Sequence, residues 1–360
     1  MKRRRVLHRP LKAAALALAA MVVLLLSCSS PGPASTTANS PGPTAPASAT
    51  FAPATSPSAT STTKSAQSPL TTPHRQWLNL AYATRSTAEK LDLYMPTQRT
   101  HSSPPGLVVY VHGGAWLPGL GDKADNFSLV LVNFLLANGY ATASIDYRLS
   151  TEAHFPAQIE DVKTAVRWLR AHASQYGYDP DKIAALGDSA GGQLVALLGT
   201  SAGVAALEGT QLGEAGVSSA VKAAIVLYPD INFLAEDAWL SQIPACAGKF
   251  INPDLPTSAA SKYLGAPVQT VPALARAADP LTYLTPGRQL PRFLIAQGEE
   301  DCTVPYQGSV AFFDALVKAV GPSGAALILE PGEGHYPDFN YTELEAPVIK
   351  LLKQTIGPGA

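Results

Sequence analysis

Residues 29–73 offer almost nothing from which a folded core is made. They hold one charge, Lys64, and one aromatic ring, Phe51, in a run that is otherwise almost entirely Ser, Thr, Pro, Ala and Gly. Such a segment has too little apolar surface to offset the entropy of ordering, so it reads as a disordered tether. The echo between Ser30-Pro31-Gly32-Pro33 and Ser40-Pro41-Gly42-Pro43 is low complexity, not a structural repeat. Net charge is also nearly absent, at −1, which argues against nucleic acid as a partner. The apolar run at residues 13–26 is too short to span a bilayer comfortably. Behind Lys2, Arg3, Arg4, Arg5, Arg9 and Lys12 it has the order of an export signal. A single N-terminal anchor helix is the alternative. Cysteine is scarce too: only Cys28, Cys246 and Cys302 occur.

The apolar run ends in Leu25-Leu26-Ser27-Cys28, which resembles the lipobox of bacterial lipoproteins, where cleavage precedes a Cys that becomes lipidated. Residues 1–27 are therefore read as a signal peptide. Residues 28–73 are read as a lipidated Cys28 followed by the tether, and residues 74–360 as the folded domain. The expected product is an exported domain held at a membrane surface through Cys28, with a secreted, soluble form as the alternative. Arg3-Arg4-Arg5-Val6-Leu7 faintly resembles a twin-arginine signal, a weaker reading than ordinary secretion. Once Cys28 is lipidated, Cys246 and Cys302 remain. An even pair in an exported protein is compatible with a disulfide, and two separate buried thiols are the other reading.

From Trp77 onward short apolar runs alternate with helical patterns. Residues 77–83 and 90–94 read as strands with period-2 alternation. Residues 107–111 are apolar throughout, as for a strand buried on both faces, and residues 140–145, 183–186, 223–227, 293–296 and 326–329 are similar. Ile159, Val162, Val166, Leu169 and Ala173 share one face of a helix over residues 156–176. Val310, Phe313, Val317 and Val320 do the same after Pro305. The alternation implies an α/β fold with a mostly parallel eight-stranded sheet and helices on both faces. Residues 228–285 interrupt it after the sixth strand. They are rich in Pro and lack a clear strand, so they read as an insertion or cap beside the C-terminal edge of the sheet, where ligands bind in open α/β sheets.

Gly187-Asp188-Ser189-Ala190-Gly191-Gly192 contains Gly-x-Ser-x-Gly, a weak signal alone. Here it follows an apolar strand and opens a helix through Leu194, Leu197 and Leu198, the context that a nucleophile elbow requires. Glycines on either side allow the tight turn, and the helix N-terminus behind it offers free N–H groups to a developing oxyanion. His112-Gly113-Gly114-Ala115-Trp116 follows the strand at 107–111, and its small residues let the backbone approach a substrate carbonyl. N–H groups from this loop, with that of Ala190, are candidates to hold the oxyanion. In the order Ser, acid, His, only His335 of the seven histidines follows Ser189. The acid belongs after the strand at 293–296. Glu299, Glu300 and Asp301 compete there; Asp301 is preferred for the Gly-x-x-Asp-x-x-Val-Pro spacing, and Glu300 is the fallback.

These motifs resemble the acetyl-esterase and hormone-sensitive-lipase-like branch of the α/β hydrolases, and within it the bacterial bifunctional feruloyl and acetylxylan esterases. The stretches that carry the resemblance are residues 112–116, Ile145-Asp146-Tyr147-Arg148-Leu149, residues 155–162, 187–192, 298–305 and 332–335. It implies an α/β-hydrolase fold, ester hydrolysis without a cofactor, and an oxyanion hole formed by the N–H groups of Gly114, Ala115 and Ala190. Small-molecule or carbohydrate esters are the implied substrates. The chain departs from His-Gly-Gly-Gly at Ala115, and Tyr336 stands where a small residue is often found, which bears on the acyl pocket. Asp146, Tyr147 and Arg148 read as scaffolding. A serine exopeptidase of related fold and a non-catalytic ligand-binding surface lipoprotein are the rival readings.

Overall fold

The computed structural model describes residues 70–98, 102–285 and 287–359. The signal peptide, Cys28 and most of the tether lie outside the described residues. Residues 70–73, read above as tether, belong to the folded domain. Leu70 packs on Tyr94, Leu129, Val132 and Leu136. The backbone N–H groups of Thr71 and Thr72 each donate to Asn133 Oδ1 at 3.0 Å. Composition could not mark this boundary, because main-chain donors make most of the attachment.

The strands are β1 (His74–Ala81), β2 (Lys90–Pro96), β3 (Leu107–Val111), β4 (Ala141–Ile145), β5 (Ile183–Asp188), β6 (Ala223–Leu227), β7 (Arg292–Gly298) and β8 (Ala325–Glu330). They form one sheet in the order β1-β2-β4-β3-β5-β6-β7-β8. β1 pairs antiparallel with β2, and β2 with β4. Every later pairing is parallel. This is the expected α/β-hydrolase layout. The central strands are apolar at successive positions because they are covered on both faces. Leu107, Val109 and Val111 of β3 enter one core, and Val108 and Tyr110 enter the other.

The helices are α1 (Asn126–Ala137), α2 (Ala157–Ala171), α3 (Ala173–Tyr176), α4 (Ala190–Thr200), α5 (Glu236–Leu240), α6 (Ala259–Leu264), α7 (Pro272–Ala278), α8 (Tyr306–Val320) and α9 (Glu345–Thr355). α2, α4 and α8 pack on one face, and α1 and α9 on the other. Asp125 caps α1 by accepting the Ser128 N–H at 2.7 Å. α1 and α9 received no reading from the sequence.

Two sequence readings need correction. The helix expected over residues 156–176 ends at Ala171; His172 separates it from the short α3, and its Nδ1 lies 2.8 Å from the Trp168 carbonyl. The alternation expected in the first two strands is absent. β1 is interrupted by a register shift between Trp77 and Leu80, where Asn79 turns to φ 58° and its N–H donates to Asp92 Oδ1 at 2.6 Å. β2 is buried on both faces, with Leu91, Leu93 and Met95 in the larger core and Tyr94 against α1.

Residues 228–285 contain no strand among the described residues, and hold α5, α6, α7 and short 3-10 turns. The Tyr263 ring of α6 stacks on Trp116 at 4.3 Å. Gln193 Nε2 of α4 donates to the Ala278 carbonyl at 2.7 Å. A disulfide joins Cys246 to Cys302. The insertion is thereby held over the C-terminal ends of the parallel strands, beside the loops that follow β3, β5 and β7.

Candidate active site

Ser189 sits at the junction of β5 and α4 with φ 51° and ψ −122°. This is a sparsely populated conformation for a residue with a side chain, costing on the order of 1–3 kcal/mol. The turn is held by the Ser189 N–H, which donates to the Leu227 carbonyl at 2.9 Å. A methyl group at Gly191 would run into the carbonyls of Val111 and His112, and one at Gly187 into the Gly191 carbonyl. The small residues around Ser189 are therefore a packing requirement of the turn.

His335, on the loop after β8, brings Nε2 to 3.0 Å from Ser189 Oγ. Its Nδ1 lies 2.6 Å from Asp301 Oδ2. Asp301, on the loop after β7, is fully buried. Its Oδ1 accepts the N–H groups of Thr303 and Val304 at 2.8 and 2.9 Å, and its Oδ2 accepts Gln297 Nε2 at 2.9 Å. The competing Glu300 is exposed, and Glu299 is paired through its backbone N–H with the Glu330 carbonyl. Three side chains from three loops thus form a continuous Ser–His–Asp chain of hydrogen bonds. Such a chain can carry a proton from Ser189 Oγ to His335 while Asp301 fixes the imidazole tautomer.

The loop after β3 is bent tightly. Gly114, Ala115 and Trp116 adopt φ of 99°, 56° and 55°. Trp116 is buried and anchors the bend through its stack on Tyr263. Asp188 Oδ1 accepts the Gly113 N–H at 3.1 Å and the Tyr110 hydroxyl at 2.7 Å. The N–H groups of Gly114 and Ala115 donate to nothing among the described residues. That of Ala190 opens α4, where the first amides have no intrahelical acceptor. Gly114, Ala115, Ser189 and His335 line one open cavity of about 930 Å³.

Tyr147 donates to the His112 carbonyl at 2.9 Å, and its ring stacks on the His112 ring at 4.5 Å. Arg148 grips buried Asp161, with its Nε 2.9 Å from Oδ2 and its Nη2 2.7 Å from Oδ1. Asp146 Oδ1 accepts the Lys123 N–H at 2.8 Å. Tyr147 therefore braces the loop from behind, while Arg148 and Asp146 fix the adjoining chain to α2 and to Lys123.

Three side chains near the triad escaped sequence reasoning. Asp188 was seen only as the variable position of the elbow. Burial, opposed in part by the Tyr110 hydroxyl bond, pushes its pKa up to about 6. The Tyr228 ring packs edge-on against His335 at 4.5 Å, and its hydroxyl meets that of Tyr341. Asp230, just beyond β6, adds a second carboxylate charge at His335. Burial raises the Asp230 pKa, while the charge of His335 opposes the rise. Burial likewise raises that of its neighbour Glu236. Burial pulls the His335 pKa down, but the carboxylates of Asp301, Asp230 and Asp188 outweigh it and leave the imidazole above its ordinary value. The signal available in the sequence was the position of Asp230 after a strand end, where open α/β sheets place functional groups.

The family described as BD-FAE matches residues 91–316, more than half of the chain. Esterase LipC of Mycobacterium tuberculosis is 31% identical over 69% of this chain and 57% of its own length. Esterase LipQ of the same organism is 29% identical over 79% of this chain and 64% of its own. The chain thus spans about three fifths of the length of these curated relatives. Among solved structures, a truncated carbohydrate esterase from gut microbiota superposes with a TM-score of 0.67 at 26% identity, covering 80% of this chain and 99% of that one. A bifunctional GH43-CE protein of Bacteroides eggerthii gives a TM-score of 0.64 at 28% identity, over 78% of this chain and 35% of that one.

Proposed function

Because the chain belongs to the BD-FAE family, we propose that it is a serine hydrolase of carboxylic esters, acting on small-molecule or carbohydrate-linked acyl esters through an acyl-enzyme. One observation carries this reading: His335 joins Ser189 Oγ at 3.0 Å to buried Asp301 at 2.6 Å, at the floor of an open cavity. Ser189 Oγ attacks the ester carbonyl as His335 takes its proton. The carbonyl oxygen becomes an oxyanion among the N–H groups of Gly114, Ala115 and Ala190, each such donor contributing about 3 kcal/mol to the step. Protonated His335 then delivers its proton to the leaving alcohol. Water, activated by the same imidazole, attacks the acyl carbonyl and releases the acid and free Ser189. The likeness to a carbohydrate esterase and to Esterase LipC supports an ester as the substrate.

The Ser189→Ala variant tests this. Removing a triad nucleophile costs on the order of 10⁶ in kcat, so hydrolysis of p-nitrophenyl acetate should vanish and a fluorophosphonate should label only the wild type. Near-wild-type turnover by the variant would overturn the mechanism. We further propose that the protein is exported and tethered to a membrane through lipidated Cys28, on the strength of the basic and apolar N-terminal order ending at Ser27-Cys28. Cys28→Ala should abolish incorporation of labelled palmitate. Unchanged labelling would refute the anchor.

A further inference from the structure

Beside the catalytic cavity lies a second one of about 290 Å³, between α1, α9 and the loop that carries His335. Its walls are apolar: Phe127, Phe134, Leu186, Leu227, Phe339 and Val348 among them, with Asn126 and Glu345 as its polar members. No step of the proposed mechanism uses it. Asn126, Phe127 and Tyr336 line both cavities, so the two adjoin across these residues. The rings of Phe127 and Tyr336 stand 4.8 Å apart at the junction, and Tyr336 is half exposed. Tyr336 directly follows His335, so the junction lies beside the reacting groups.

We propose that this second cavity is the acyl-chain subsite, and that it selects unbranched alkyl esters of medium length. The inference rests on the ester-hydrolase reading and names the substrate class of that site. The argument is one of partition. The catalytic cavity itself carries His112, Asp122, Asp125 and Asp146 among its lining residues, which suits a hydroxyl-bearing alcohol. The cavity behind Phe127 and Tyr336 suits a group with nothing to hydrogen-bond. Its volume is that of roughly ten water molecules at ~30 Å³ each. A methylene is of similar bulk, and at the close-packed density of about 0.74 a chain of roughly six to eight carbons fills it. Burial of each methylene favours the transition state roughly fourfold, so over four to six added methylenes the preference over acetate should climb by up to roughly two to three and a half orders of magnitude and stop once the cavity is full.

The test is a p-nitrophenyl ester series from acetate to dodecanoate, read as kcat/KM, on the full chain. Two blocking variants come from opposite walls: V130W on α1, whose side chain is half exposed, and V348F on α9. The octanoate-to-acetate ratio should exceed tenfold in the wild type and fall at least tenfold in both variants, each checked for folding by circular dichroism. A flat wild-type series, or a ratio unmoved in both folded variants, overturns the subsite. So does a length preference that appears in n-alkyl acetates instead, which would place the alcohol there. Turnover by Ser189→Ala would instead overturn the ester-hydrolase reading. The subsite is then decided by calorimetric titration with octanoate: saturable binding lost in V130W sustains it, and no binding refutes it.

Discussion

The Cys246–Cys302 disulfide invites the most direct perturbation. It ties the insertion over the sheet to the residue after Asp301, and it closes a loop of sequence separation 56. The chain-entropy relation assigns such a closure ~4 kcal/mol, through the conformations denied to the unfolded chain. For a domain of this size, each kcal/mol moves the melting temperature by about 2–4 °C, so the loss on breaking the bridge is on the order of 8–16 °C. Activity at 25 °C should fall much less. Asp301 keeps its bonds from Thr303, Val304 and Gln297, all within its own loop and strand. The insertion keeps the Tyr263–Trp116 stack and the Gln193–Ala278 bond. Cys246 is fully buried against Leu240 and Ile243, so a Cys246→Ala, Cys302→Ala double variant removes the cross-link with little lost volume. Differential scanning calorimetry of this variant, and of the wild type with and without reductant, reads the effect beside kcat/KM for p-nitrophenyl acetate. A double variant melting within about 2 °C of the wild type would refute the entropic argument. Two free thiols found by mass spectrometry of the non-reduced protein would remove its premise.

Asp230→Asn deletes a negative charge that helps hold the His335 pKa up. The base must be neutral to act, so activity is lost as pH falls through that pKa, and the variant's acidic limb of kcat/KM should move to lower pH. An unmoved or upward-shifted limb would show that Asp230 does not act on His335. Tyr147→Phe keeps the stack on His112 but loses the 2.9 Å bond to its carbonyl. That bond's net worth of about 1 kcal/mol corresponds to a roughly fivefold fall in kcat/KM, and an unchanged value would mean the loop holds its shape without it. Gly191→Ala places a methyl against the carbonyls of Val111 and His112, which belong to the backbone and cannot swing away. A displacement of the elbow by about 1 Å costs on the order of 10² in rate, and full activity would show that the turn has slack.

The sheet was legible because its strands are covered on both faces. Leu107 to Val111 is apolar at every position, and so is Ala223 to Leu227, so their bounds could be read directly. Where burial is less regular the reading failed. β2 looked alternating because Asp92 falls in its middle, yet Asp92 is buried, with Lys123 Nζ at 3.7 Å and the Asn79 N–H on its carboxylate. A charge that finds its partners through tertiary structure has the same letter as one facing water. α1 has the opposite difficulty. It is apolar nearly all round, since its outer face includes Phe127, Val130 and Phe134, which line the second cavity. No one-sided stripe marks such a helix.

The candidate site divides along a similar line. Ser189, Asp301 and His335 were chosen from motif and order, and they lie within hydrogen-bond reach of one another. What holds the loop after β3 in place was not legible. Ala115 and Trp116 both adopt a left-handed backbone, which a sequence reader assigns to glycine and would not expect at two consecutive bulkier residues. The strain persists because the flanking contacts leave no alternative. Trp116 is buried against Tyr263 from the insertion, its carbonyl accepts the Ser150 N–H at 2.8 Å, and Asp188 holds Gly113 from the elbow side. Each of these partners is distant in sequence from the loop it constrains. The pairing of Trp116 with Tyr263 also couples the insertion to the bend that carries the Gly114 and Ala115 N–H groups. Loosening the insertion should therefore relax the bend at Ala115 before it disturbs the bond between Ser189 and His335.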